Sequence, residues 1–167
     1  IVSTDDDEIA CISKDYGAEV PFVRPLSLSS DQASTQAVVS HTLDYLDSNR
    51  IKCDALCCLY ATAPFVRKED LSLAEQLLKS TQYERVVFTA TSFPFPIQRA
   101  IKLDQKGYSS MFHPECFDIR SQDLIDAYHD AGQFYWAAPT KWRLIKNLFE
   151  GGFPLILPRW RVQDIDI

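Results

Sequence analysis

Two continuously apolar runs constrain the fold of this chain more than any other feature. They are "DALCCLYAT" at positions 54–62 and "RVVFTAT" at positions 85–91. Neither run alternates between apolar and polar residues, as a strand with one solvated face would. Runs of this kind are typical of strands in a parallel sheet that is covered on both faces.

Helical patterns separate these runs. Val39, Leu43 and Leu46 recur at i, i+4 and i+7, which predicts a helix from about Ser34 to Ser48. Three further helices are expected: one after Asp5 or Asp6 with Ile9, Ile12 and Tyr16 on one face, one carrying Leu71, Ala74, Leu77 and Leu78, and one from Pro139 to about Phe149. The alternation of strands and helices is typical of an α/β fold with a mostly parallel sheet.

The remaining segments complete one predicted domain over residues 1–167. Further strands are expected at "IVS" (1–3), "GQFYWAA" (132–138), "FPLILP" (153–158) and "RVQDIDI" (161–167). Between about 93 and 130, prolines, aromatic residues and a Lys106–Gly107 turn interrupt the pattern. We interpret that stretch as a smaller β-rich excursion from the sheet.

Composition excludes several classes of function. The net charge is −6 and there is no Lys/Arg cluster, which argues against a nonspecific nucleic-acid binder. No apolar run reaches the length needed to span a membrane. The five cysteines are odd in number and form no C-x-x-C motif, so we expect reduced, buried thiols in the cytoplasm and no zinc site.

Ligands of such sheets bind beyond the carboxyl ends of the strands. "STDDD" (3–7), "YATAP" (60–64) and "TSFPFP" (91–96) each follow an apolar strand, so we expect them on one rim. At the chain end, Asp164 and Asp166 would share one face of a strand, which indicates either a solvated edge or a cation site.

A set of ordered motifs points to a family. "VSTDDDEIA", "FVRPLSLSSD", "LYATAPF", "RSQDLIDAYHDAGQFYW" and "QDID" resemble those of the CMP-sugar-acid synthetases, the cytidylyltransferases that activate sialic acids. "FTATSFPFPIQRA" and "AYHDAGQFYW" are most similar to the branch that acts on pseudaminic acid. The resemblance covers essentially the whole chain. It implies a Rossmann-like three-layer nucleotidyltransferase fold in which the excursion serves dimerisation.

The resemblance also implies a reaction, in which CTP and a nonulosonic acid give the CMP-sugar and pyrophosphate. Asp164 and Asp166 would act in catalysis by holding Mg²⁺ or Mn²⁺, since such ions prefer oxygen ligands. The expected partners are these two substrates and a second copy of the chain, in a homodimer with a shared active site. Neither nucleic acid nor a membrane is expected as a partner.

Several substrate-binding residues follow from the resemblance. Arg24 would lie near the nucleotide, unless it is a surface arginine. Ser34 and Thr35 would contact the base or ribose, although Ser34 is also a suitable helix cap. Asp5 would line the nucleotide rim, and Asp5 and Asp6 are equally good N-caps.

The sugar side is assigned in the same way. Arg120 would pair with the sugar carboxylate and reach the site from the neighbouring subunit. Gln98 or Arg99 would supply a second family contact, unless Arg99 is a surface residue. Tyr128 is a further candidate, although Tyr128, Phe134, Tyr135 and Trp136 are more often core residues, and we expect Phe134 and Trp136 in the core.

Two departures from the family pattern matter. Sialate relatives often have L-Q-P-T-S-P at the position of "LYATAP", with the glutamine touching the sugar. This chain has Tyr60 and Ala61 there, so Tyr60 is a further substrate-binding candidate and N-acetylneuraminic acid is disfavoured as the substrate. The first strand and the A-R-x-G-S-K loop that grips the triphosphate are missing, so we expect this chain alone to be inactive or weak. The alternatives are a synthetase for N-acetylneuraminic, legionaminic or 3-deoxy-manno-octulosonic acid, or a non-catalytic remnant.

Overall fold

The protein is described from a computed structural model, which covers residues 1–163 and residue 165. The helices of this part of the chain are α1 (Asp7–Asp15), α2 (Thr35–Ser48), α3 (Lys68–Ser80) and α4 (Pro139–Leu144). The strands are β1 (Leu56–Leu59), β2 (Val87–Ser92), β3 (Ile101–Leu103), β4 (Ser109–Met111), β5 (Tyr128–Ala137) and β6 (Phe153–Ile156).

The main sheet has four strands in the order β1-β5-β2-β6. β2 pairs with β6 in parallel, whereas β5 is antiparallel to both β1 and β2. The predicted α/β class is therefore confirmed, and β1, β2 and β6 run in one direction as expected. The expectation of a mostly parallel sheet needs correction, because two of the three pairings are antiparallel. A continuous apolar run indicates a strand that is buried on both faces. It does not indicate whether that strand pairs with its neighbours in parallel or antiparallel.

Helices cover both faces of this sheet, which gives the expected three layers. One core cluster lies on the α2 and α4 side and includes Leu43, Phe88, Tyr135 and Trp142. The other lies on the α3 side and consists of Ala74, Leu78, Val87 and Phe134. Successive residues of β2 and β5 thus pack on opposite faces, as the strand period requires. The indole Nε1 of Trp142 donates to the Leu56 carbonyl at 3.1 Å, which ties α4 to β1.

Local capping sets where the predicted helices begin. The Asp6 carboxylate accepts from the Ile9 amide at 2.8 Å and caps α1, while Ser34 caps α2 through the Ala37 amide. α2 and α3 match their predictions closely. On α1, the predicted apolar face is exposed, since Ile9, Ile12 and Tyr16 are all solvent-accessible.

Three other segments differ from prediction. Residues 1–3 form no strand, although the Val2 amide donates to the Glu19 carbonyl at 2.8 Å. α4 ends at Leu144 instead of Phe149, and the Asn147 side chain accepts from the Phe149 amide in a turn that competes with helix. Of the predicted last strand, Arg161 belongs to a 3₁₀ turn and residues 162, 163 and 165 are not in a strand.

The excursion is less β-rich than expected. Within it, β3 and β4 form a two-stranded hairpin of three residues each, β5 begins at Tyr128, and the other regular pieces are single 3₁₀ turns. The predicted turn is confirmed, with Gly107 at φ +85°, a value that favours glycine. None of the helices in the described part of the chain is long and apolar enough to cross a membrane.

Candidate active site

A cavity of about 770 Å³ opens between the N-terminal residues, α2 and β1. Apolar residues of α2 and β1 form its inner wall, including Val38, Val39 and Leu56. Its polar lining includes Arg24, Thr35 and Tyr60. The carboxyl end of β1 thus leads directly into the cavity, as the strand-end argument predicted.

Arg24 is held in place at this cavity by its neighbours. Its Nη2 donates to Asp5 Oδ1 at 3.0 Å and its Nε donates to Ser29 Oγ at 3.2 Å. The Arg24 amide also donates to the Thr4 carbonyl at 2.8 Å. The Arg24 guanidinium hydrogen bond is the largest cause of a lowered pKa of Asp5. Since Asp6 caps α1, Asp5 is free for this pairing, and the two aspartates divide the roles that the sequence left open.

The first residues of α2 also have separate roles. Ser34 uses its side-chain oxygen to cap the helix, whereas the Thr35 hydroxyl hydrogen-bonds to the Tyr60 hydroxyl across the cavity wall. Of these two candidates, Thr35 lines the cavity and Ser34 does not. A hydroxyl of this kind can accept or donate, so it suits recognition of a base or a ribose.

Behind Tyr60 lies a carboxylate that our sequence reasoning missed. The Tyr60 ring packs at 5.2 Å on Tyr135, and the Tyr135 hydroxyl donates to Asp130. Burial, and after it the hydrogen bond to Asp130, raises the pKa of Tyr135 far above its usual range. An acidic residue within the aromatic strand "HDAGQFYW" was the available signal, because Asp is uncommon in strands.

The sugar-side candidates lie elsewhere, on the excursion. Gln98 Nε2 donates to the Ile125 carbonyl at 3.1 Å, and the Arg99 guanidinium donates to the carbonyls of Phe117 and Ile119. The Arg120 side chain is 73% exposed and pairs with Asp123 at 2.8 Å.

Tyr128 is half exposed at the start of β5. Neither Tyr128 nor the three residues above are among those that line the cavity. The roles of Gln98, Arg99, Arg120 and Tyr128 in substrate binding stay predictions. Of the aromatic residues expected in the core, Phe134 is fully buried and Trp136 is partly buried against the α3 cluster.

The predicted metal ligands Asp164 and Asp166 lie outside the described residues. Among the described residues, no group of three or more His, Cys, Asp or Glu side chains could hold a metal ion. The chain just before Asp164 is firmly anchored. Arg161 is buried and pairs with Asp70 of α3, and Gln133 Nε2 donates to the Arg161 carbonyl at 2.8 Å.

Comparison with known proteins identifies the family. The family model described as cytidylyltransferase matches residues 1–103, well over half of the chain. This chain belongs to the cytidylyltransferase family. The resemblance seen in the motifs is thereby confirmed.

Two curated relatives match nearly the whole of this cytidylyltransferase. It is 41% identical over 167 residues to a pseudaminic acid cytidylyltransferase of Campylobacter jejuni, a match covering 99% of this chain and 72% of the relative. It is 25% identical over 168 residues to an N-acylneuraminate cytidylyltransferase of Escherichia coli, covering 100% of this chain and 38% of the relative.

A solved structure shares the fold. It is a CMP:2-keto-3-deoxy-manno-octonic acid synthetase complexed with CTP, with a TM-score of 0.59 and 12% identity. The match covers 93% of this chain and 71% of the neighbour. The expected nucleotidyltransferase fold is confirmed by this likeness.

Proposed function

We propose that this cytidylyltransferase transfers CMP from CTP to a nonulosonic acid, with pseudaminic acid as the first candidate. The observation that carries the proposal is the 41% identity to a pseudaminic acid cytidylyltransferase over 99% of the chain. The 25% identity to the N-acylneuraminate enzyme is lower, and Tyr60 and Ala61 stand where sialate relatives often have Gln and Pro. Both points favour pseudaminic acid.

In the proposed reaction, the anomeric hydroxyl of the sugar attacks the α-phosphorus of CTP. A new P–O bond forms between the α-phosphorus and the sugar oxygen, the bond between the α-phosphorus and the α,β-bridging oxygen breaks, and pyrophosphate leaves with the bonding electron pair. The hydroxyl proton passes to solvent or a base. As in other phosphoryl transfers, the protein contributes mainly positioning and charge neutralisation.

We assign the nucleotide end to the cavity residues. Arg24 brings a guanidinium to the cavity and can share its donors between Asp5 and a phosphate or ribose oxygen. Thr35 and Tyr60 present hydroxyls to the base or ribose. The apolar wall formed by α2 and β1 suits the face of a pyrimidine ring.

We further propose that the enzyme uses Mg²⁺ or Mn²⁺, held by Asp164 and Asp166. Carboxylates are the oxygen donors that these ions prefer. When bound, the ion would offset the negative charge of the triphosphate. Gln133 and Arg161 would contribute indirectly, because they anchor the backbone three residues before Asp164.

A homodimer in the cytoplasm is the third part of the proposal. The excursion carries large exposed apolar side chains, among them Phe95, Phe117 and Ile125. Such a surface is typical of an interface, and it would bring the exposed Arg120 of one copy toward the site of the other. All five cysteines are free, which is expected of a reducing compartment.

The test is pyrophosphate release with CTP and Mg²⁺ on a panel of pseudaminic, N-acetylneuraminic, legionaminic and 3-deoxy-manno-octulosonic acids. The chain is assayed beside a version extended by the segments of the Campylobacter jejuni relative that flank the match. We expect turnover of pseudaminic acid, with higher rates for the extended version. Turnover of another acid in preference would overturn the substrate assignment, and no turnover by either would overturn the activity.

A further inference from the structure

The loop between β4 and β5 carries Arg120, and its regular structure consists of two single 3₁₀ turns. Backbone hydrogen bonds fix its two ends. The Phe112 amide donates to the Ala100 carbonyl at 3.0 Å, and the Phe93 amide donates to the Ala127 carbonyl at 3.0 Å. A long loop with so little internal structure has many conformations unless its middle is also held.

Side chains from another turn hold the middle of this loop. Arg99 Nη1 donates to the Phe117 carbonyl at 2.8 Å, and Arg99 Nη2 donates to the Ile119 carbonyl. The preceding residue, Gln98, donates from Nε2 to the Ile125 carbonyl at 3.1 Å. Two adjacent side chains of one 3₁₀ turn thus attach the loop at three carbonyls.

The donors of Arg99 and Arg120 are used differently. A guanidinium binds a carboxylate through two parallel N–H groups. Each Nη group of Arg99 is already bonded to a loop carbonyl, so a sugar carboxylate would compete with the loop for Arg99. Arg120 is exposed and its Nε donates to Asp123 at 2.8 Å. Within the described part of the chain its two Nη groups make no hydrogen bond, so they are available to a ligand.

We propose that Arg99 is a positioning residue that presents Arg120 to the carboxylate of the nonulosonic acid, and that Arg99 does not itself contact the sugar. This inference rests on the proposed function, which brings Arg120 toward the active site. The bonds from Arg99 and Gln98 lie on both sides of Arg120 in the loop. Because the loop is already ordered, less conformational freedom is lost when the sugar binds.

Arg99→Lys separates this role from that of a second cation at the sugar. Lysine keeps the positive charge but has a single donor nitrogen in place of the planar fork. If Arg99 attracted the sugar by its charge, Arg99→Lys would keep most of the affinity. In the positioning role, Arg99→Lys and Arg99→Gln should both weaken binding of pseudaminic acid by about tenfold.

Hydrogen–deuterium exchange followed by mass spectrometry reports on the loop directly. Its turns protect amides such as that of Asp123, which donates to the Arg120 carbonyl at 2.9 Å. We expect Arg99→Gln to speed exchange over residues 113–126 by about tenfold. Arg85→Gln is the matched control, because Arg85 Nη1 also donates to a backbone carbonyl, that of Gly151 at 3.0 Å, away from this loop. The control should change neither the exchange of this loop nor the sugar affinity.

A double-mutant cycle tests whether Arg99 acts through Arg120. The dissociation constant of pseudaminic acid is measured by NMR titration, which reaches millimolar affinities. Arg120→Gln alone should weaken binding by at least about tenfold, since a charge-assisted pair is lost. Adding Arg99→Gln to Arg120→Gln should change the constant by less than about twofold, because the loop then has no guanidinium to present. The dissociation constant of CTP should stay the same throughout, since neither residue lines the nucleotide cavity.

The outcomes separate this inference from the proposed function. If the unaltered chain does not bind pseudaminic acid, or if Arg120→Gln leaves that binding unchanged, the proposed sugar site fails and this inference fails with it. If Arg99→Gln weakens binding by the same factor with and without Arg120, Arg99 contacts the sugar directly and this inference alone is overturned.

Two further results would also overturn it alone, namely retained sugar affinity in Arg99→Lys and unchanged exchange of the loop in Arg99→Gln. A purely structural role for Arg99 would weaken CTP and the sugar together. Weaker sugar binding in both Arg99 variants, faster exchange of the loop and no further loss in the double variant support the inference.

Discussion

At the scale of single residues, Arg24 brings a guanidinium to the cavity and has the carboxylate of Asp5 as its nearest side-chain partner. The Arg24 hydrogen bond is the largest cause of the lowered pKa of Asp5. Because that pKa lies below its ordinary value of 3.8, the pairing stabilises the folded chain above pH 3.8. This contribution is lost as the pH falls through the pKa of the folded state.

We predict that Arg24→Gln raises the pKa of Asp5 toward 3.8 and weakens CTP binding by about tenfold or more, since a charge-assisted hydrogen bond is lost. The carboxyl pKa is measured by NMR titration and the affinity by CTP titration. Arg143→Gln is the control, because Arg143 also pairs with carboxylates, those of Asp44 and Asp47, away from the cavity. An unchanged CTP affinity in Arg24→Gln would contradict the assignment.

The cysteines of β1 give a second prediction at this scale. Burial raises the pKa of Cys57 to about 12 and that of Cys58 to about 11, so little thiolate exists near pH 8. Cys11 is exposed on α1. We expect iodoacetamide to label Cys11 about a hundredfold faster than Cys57 or Cys58 in the folded chain, with the difference lost in denaturant. Peptide mass spectrometry reports the rates, and equal rates in the folded chain would refute the burial argument.

At the scale of elements, the end of the described chain is attached to α3 by a buried ion pair. The side chains of Arg161 and Asp70 are only 9% and 13% exposed. Removing one member of such a pair leaves the other charge buried and poorly compensated. The segment that leads to Asp164 therefore depends on a residue of a distant helix.

Asp70→Asn should lower the free energy of unfolding by about 3 kcal/mol. Glu75→Gln on the same helix breaks the exposed pair with Lys79 and should cost less than about 0.5 kcal/mol. Urea denaturation followed by circular dichroism measures both. If the two variants lose the same stability, the pair does not anchor the segment.

At the scale of the whole molecule, the excursion presents the exposed apolar surface on which the proposed dimer depends. Ile125 is 81% exposed and Phe95 is 78% exposed. Isolated monomers rarely leave clusters of such side chains in water. A second copy of the chain would cover them.

We predict a dimer by sedimentation velocity, and we expect Ile125→Asp to raise its dissociation constant at least about tenfold by placing a charge in an apolar contact. Leu144→Asp, at the end of α4, changes an apolar side chain that is 77% exposed and lies outside the excursion, and it should leave the dimer intact. Dimers that persist in Ile125→Asp would place the interface on another surface.

The local features of the fold could be predicted closely. α2 begins and ends within a residue of its prediction, because a Ser cap and a 3.6-residue period act over neighbouring positions. The direction of β5 and its place between β1 and β2 could not be predicted. Strand pairing joins residues that are far apart in the chain. The sequence of β5 is compatible with parallel and with antiparallel pairing.

In the candidate site, too, residues within local motifs could be predicted, whereas contacts between distant residues could not. Motif resemblance brought out Arg24, Thr35 and Tyr60, which the structure places around one cavity. It passed over Asp130, which accepts a hydrogen bond from Tyr135 behind the cavity wall.

The sequence by itself therefore determined the places of the first three helices, the α/β class and the family, since these depend on periodicity, caps and ordered motifs. The packed structure alone decided the mixed sheet, the burial of Arg161 against Asp70, and the hydrogen bond from Tyr135 to Asp130. The physical reason is that a hydrogen bond or an ion pair requires its partner's position, and Arg161 and Asp70 are separated by 91 positions along the chain.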